Sequence, residues 1–126
     1  MSNILTLGLL ESSTRFVIDQ LGPWQRESTY RDALAVELRS LGFSASTEVK
    51  STVWYTPSGS DTPTAVGTHI ADIVVVDPSH QTSVIEIKLK SSSTDAGLAQ
   101  ANAYKTSFKA DRSFLVVCEL ANVLEI

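Results

Sequence analysis

Two short runs rich in valine and isoleucine, residues 70–76 and 83–89, flank a stretch of turn formers, Asp77-Pro78-Ser79-His80-Gln81. That pattern predicts a β-hairpin, and it constrains the chain more than any other segment because side chains alternate between the faces of a strand. Any antiparallel register that sets Asp72 opposite Glu86 also sets Val74 opposite Val84 and Ile73 opposite Ile85, so each face stays chemically consistent. One face then carries Asp72, Glu86 and Lys88. Two carboxylates on adjacent strands, with Cβ atoms about 5 Å apart, repel each other unless a cation sits between them. A divalent metal held by Asp72 and Glu86 is the economical expectation.

The remaining elements follow from periodicity and breakers. Residues 4–20 show an imperfect helical stripe through Leu7, Leu10 and Val17, which Gly22-Pro23 ends. Tyr30, Leu34, Leu38 and Leu41 mark a second helix over 25–41, with Gly42 as its C-terminal cap. Glu27 lies on the same stripe, where a carboxylate is costly unless paired or near a metal, although a first-turn glutamate also suits the helix dipole. Residues 43–55 read as a strand and 57–63 as a loop, so the first three strands form a meander. A helix over 95–110 and a buried strand over 114–120 complete the order. The expected architecture is α/β in one domain spanning 1–126.

With 126 residues and 43% hydrophobic content, the chain suffices for one core. No segment approaches the ~20 apolar residues of a membrane helix, and the start has no basic secretion signal, so the expected compartment is intracellular, cytoplasmic by default. The single cysteine, Cys118, reads as a buried strand residue. A net charge of −4 argues against coating nucleic acid by bulk electrostatics. It leaves room for a local basic rim from Lys88, Lys90, Lys105, Lys109 and Arg112.

Asp72 with Glu86-Ile87-Lys88, and Gln100 with Tyr104 one helical turn later, resemble the defining motif and the QxxxY motif of the PD-(D/E)XK nuclease superfamily. The element order resembles its restriction-endonuclease-like core, a three-stranded meander plus a further strand flanked by helices. A narrower likeness is to the small GxxExxY proteins of that superfamily, carried by Leu21-Gly22-Pro23, Glu27-Ser28-Thr29-Tyr30, Ala33-Leu34, Glu37-Leu38-Arg39, Leu41-Gly42-Phe43, Glu48, Tyr55, Gly67 and Ala71-Asp72. Trp24 stands where that pattern has glycine, the loop over 57–65 is longer, and Cys118-Glu119 replaces an Asn-Phe pair.

The resemblance implies a metal-dependent hydrolase acting on DNA, with RNA not excluded, and without strong sequence specificity. Phosphodiester cleavage needs a nucleophilic water and a stabiliser of building charge, and carboxylate-held Mg²⁺ or Mn²⁺ serves both. Asp72 and Glu86 are the expected ligands, with the Ile87 carbonyl as a third. Lys88 would orient the water or offset charge, and Glu27 would act from the outer shell. Gln100, Tyr104 and Lys90 are the expected nucleic-acid contacts. Each has a plainer alternative: Glu-x-Lys is a common charge alternation on exposed strands, Tyr104 could be core, and His69 could be an ordinary surface histidine. The alternative function is a non-catalytic nucleic-acid- or protein-binding module on the same fold. Because one site cuts one strand, a homodimer is expected for duplex cleavage, built on surplus apolar residues Leu7, Leu9 and Leu10 or on the edge of the last strand.

Overall fold

The computed structural model describes residues 4–126. Helices α1 (Leu7–Leu21) and α2 (Glu27–Ser40) precede strands β1 (Ser44–Tyr55), β2 (Thr64–Val76) and β3 (Thr82–Lys88), then helix α3 (Thr94–Ser107) and strands β4 (Arg112–Val117) and β5 (Asn122–Glu125). The five strands form one sheet in sequence order. β1 to β3 run as an antiparallel meander, β4 lies parallel to β3, and β5 returns antiparallel. A parallel pair needs a crossover, and α3 supplies it.

Local chemistry sets the ends of the elements. Thr6 Oγ1 caps α1 by accepting from the Leu9 amide at 3.1 Å. At the end of α2 the Phe43 amide donates to the Leu38 carbonyl and the Gly42 amide to the Arg39 carbonyl, with Gly42 at φ 95°. This Schellman closure needs a left-handed residue after the cap, which is why Gly42 was legible as a stop. The β2–β3 turn is tied by Asp77, whose Oδ1 accepts from the Ser79 and Gln81 amides and from Ser79 Oγ.

The pairing of β2 with β3 has the expected register, Ile73 opposite Ile85 and Val74 opposite Val84. Its two faces serve different helices. Ile73, Val75, Ile85 and Ile87, with Phe114 and Val116 of β4, pack under α1 and α2 around Leu10, Tyr30, Leu34 and Leu38. Glu86 alternates to the other face, with α3 packed across β3 and β4. Gly97 permits the close approach of α3: a Cβ built there would lie 2.6 Å from Leu115 Cδ1 and 3.0 Å from Lys88 Cγ.

Three expectations are corrected. The last strand stops at Val117, a 3-10 turn takes Cys118–Leu120, and a fifth strand follows, with Val116 opposite Val123. Arg112 leaves the basic rim, because its guanidinium is paired with Glu125 at 2.7 Å and also bonds the Leu5 carbonyl. Leu10 is buried, with Leu7 and Leu9 partly buried against the same core, so these residues are not surplus, and the edge strand on that side of the sheet is β5 and not β4. No helix among the described residues is long and apolar enough to cross a membrane.

Candidate active site

Beyond Ile73 and Ile85 the backbone ladder between β2 and β3 stops, and side chains take over the freed amides. Asp72 Oδ2 accepts from the Ile87 amide at 2.7 Å, and the Asp72 amide donates to Glu86 Oε1 at 3.2 Å. The two carboxylates are thereby brought together where the strands part. In an extended antiparallel pair a residue's amide and carbonyl point to the same side, so the Ile87 carbonyl also faces β2. All three groups are oxygen donors, the set that suits a hard divalent cation.

The electrostatics of the pair fit such an ion. Burial, and next the charge of Asp72, push the Glu86 carboxyl up to about 8; the hydrogen bond from the Asp72 amide and the Lys88 charge act the other way. Glu86 is 3% exposed. Removing two like charges from water without a counter-ion is what raises such a pKa, and a bound cation would reverse it. Among the described residues no group of three or more His, Cys, Asp and Glu gathers for a metal, so a cation here would rest on two carboxylates plus backbone and solvent oxygen.

Lys88 stands on the Glu86 face of β3, near enough to lower the Glu86 pKa, with its stem against Gly97. Tyr104 also reaches this region. Its hydroxyl is raised by burial and then by the charge of Glu86, against a hydrogen bond from the Ile70 backbone, with Asp72 adding to the rise. Gln100 Oε1 is buried without a hydrogen-bond partner among the described residues, an acceptor on α3 left with nothing to accept.

Glu27 is not bonded to the carboxylate pair. Its Oε1 accepts from the Leu89 amide at 3.0 Å, one residue past Lys88. Cys118 links this side to the pair: burial, then Glu27, then Asp72 push its thiol up to about 12, so it stays protonated and is no nucleophile. Lys90 is exposed and follows on the same stretch of chain.

His69 earns more than a surface reading. Its ring lies 4.6 Å from that of Tyr104, and Nδ1 is 2.9 Å from Ser107 Oγ. Ser107 was missed in the sequence altogether. Its carbonyl takes a bond from Ser51 Oγ at 2.9 Å, and nothing local announces a serine at the end of α3 as the clasp between that helix and the β1–β2 ribbon.

The comparisons with known proteins agree with this architecture. A model of the PD-(D/E)XK nuclease superfamily matches residues 7–122. Members of that superfamily generally use divalent metals. No curated protein matches the sequence. Among solved structures the chain is similar to the crystal structure of SSO0001, at 23% identity and a TM-score of 0.51, over 100% of this chain and 67% of that one. At that identity the likeness concerns the fold alone. With the family match running over nearly the whole mixed five-stranded sheet and its helices, the chain belongs to the PD-(D/E)XK nuclease superfamily.

Proposed function

We propose that the protein is a metal-dependent nuclease that hydrolyses phosphodiester bonds of DNA without strong sequence specificity. The observation that carries this reading is the convergence of Asp72 and Glu86 where β2 leaves β3, with Lys88 on the Glu86 face. Mg²⁺ or Mn²⁺ held by Asp72, Glu86 and the Ile87 carbonyl would supply charge stabilisation and a water acidic enough to attack near neutral pH.

The side chains divide the remaining work. Lys88 orients the attacking water and offsets charge building on the phosphate oxygens. Glu27, through the Leu89 amide, fixes the end of β3 and hence the position of Lys88, and its negative charge acts on the metal site from the outer shell. From the α3 side the Tyr104 hydroxyl donates to the scissile phosphate group, and the unpartnered Gln100 Oε1 accepts from the ordered water. Lys90 meets the backbone of the bound strand.

Cleavage of supercoiled plasmid in Mg²⁺ tests the reading. Nicking should occur with the wild-type chain, be abolished by Asp72→Ala, and fall at least about a hundredfold in Lys88→Ala while metal affinity changes little. No Mg²⁺-dependent cleavage of either the plasmid or a single-stranded oligonucleotide by the wild type would reject it. The second reading, a non-catalytic binding module, draws on the net charge of −4 and the lack of a third carboxylate or histidine at the pair among the described residues. It predicts nucleic-acid or protein binding that Asp72→Ala leaves intact.

A further inference from the structure

The link between α1 and α2 holds a tryptophan in a conformation that suits glycine. Trp24 has φ 75° and is 96% exposed, so it gains neither backbone ease nor burial. A bulky residue at positive φ is a rare and strained state, which persists where the surroundings impose it. Here they do. Tyr30 Oη donates to the Gly22 carbonyl at 2.6 Å, and Gln25 Nε2 donates to the Leu21 carbonyl at 3.2 Å.

The exposed indole forms one wall of a cavity of about 530 Å³, a volume typical of small-molecule sites. Leu89, Tyr30 and Cys118 contribute other walls, and Lys90 lies on the lining, two residues past Lys88. The chain that carries the candidate catalytic lysine therefore runs directly into this cavity. Its lining is mainly apolar, and Asp19 and Glu119 also contribute to it. Carboxylates repel a phosphate but accept hydrogen bonds from the amino groups of a base. An aromatic face, apolar walls and acidic acceptors suit a nucleobase, with Lys90 available for the adjoining phosphate.

We infer that the Trp24 cavity receives one unpaired nucleobase of the substrate strand, stacked on the indole, next to the phosphodiester being cut. This inference rests on the nuclease reading and narrows its substrate class. Bases inside a duplex are stacked on one another and cannot reach the indole without leaving the stack. The preferred DNA is therefore a single strand, a flap or an overhang.

A fluorescein-labelled oligodeoxycytidylate of about ten nucleotides, with one abasic site moved along it, tests this by anisotropy in the presence of EDTA. In the wild type one abasic position should weaken binding about tenfold. Trp24→Gly should lose about tenfold on the intact strand and show no further loss at that position. Trp24→Phe should recover most of the affinity. Trp24→Gly should also unfold no earlier than the wild type, since glycine adopts this φ freely. Unchanged affinity in Trp24→Gly, or an abasic penalty that persists in it, would overturn the base pocket, as would an absence of oligonucleotide binding by the wild type. Asp72-dependent cleavage of the same strand is scored separately. If it persists while the Trp24 effects are absent, only the pocket falls; if it is absent while the Trp24 effects are present, only the nuclease reading falls.

Discussion

Glu27 accepts a hydrogen bond from the amide of Leu89, 62 residues away in sequence, and so ties the first turn of α2 to the end of the strand that carries Glu86 and Lys88. The bond explains a carboxylate on an otherwise apolar helical stripe. It also separates two roles that mutation can resolve.

Glu27→Ala strands the Leu89 amide and should lower stability by about 1–2 kcal/mol in urea unfolding. Glu27→Gln keeps an acceptor oxygen, so its stability should stay within about 0.5 kcal/mol of wild type while nicking falls about tenfold through loss of the charge. Full activity in Glu27→Gln would reduce the residue to a structural tie.

Gly97 sets the depth at which α3 rests on the sheet. Alanine there would collide with the fully buried Leu115 and press on the Lys88 stem. Although alanine favours a helix, Gly97→Ala should cost about 1–3 kcal/mol in thermal or chemical unfolding and reduce nicking. Leu115→Val in the same chain should restore part of both. A variant as stable as wild type would mean that α3 can lift without consequence.

The raised pKa of Glu86 makes metal-free stability depend on pH in a direction opposite to that of a salt-bridged acid. Its ordinary value is 4.5 and its folded value about 8, so between them the folded chain holds a proton that the unfolded chain has released. Stability from this group is therefore greatest below pH ~4.5 and declines as pH rises to ~8, by a few kcal/mol at most. In EDTA, Glu86→Gln should flatten the decline in Tm between pH 6 and 8 relative to wild type, and Mg²⁺ should raise the wild-type Tm more at pH 8 than at pH 6. A wild-type chain that gains stability across that range would contradict the burial of this carboxyl beside Asp72.

Legibility in the sequence followed the range of the interaction. Valine and isoleucine concentrated on both sides of the 77–81 turn fix the β2–β3 register, and Gly42 marks the end of α2, because both signals are local. β5 was missed because Asn122–Glu125 is too short to show a period, and Arg112 was misread because its partner Glu125 belongs to that unseen strand. The parting of β2 from β3 at Asp72 was also invisible. Pattern places Asp72 beside Glu86, but only the fold shows that their carboxylates replace the ladder there. The Ser107 clasp and the strained Trp24 depend on contacts and dihedrals that residue types alone do not carry.

The central claim is that Asp72 and Glu86 together hold a divalent cation, and calorimetric titration of the full chain with Mn²⁺ tests it most directly. One site per chain with micromolar-range affinity is expected, tighter at pH 8 than at pH 6 because the ion displaces the Glu86 proton, and lost in Asp72→Ala. Mn²⁺ heats that are the same in wild type and Asp72→Ala would contradict it.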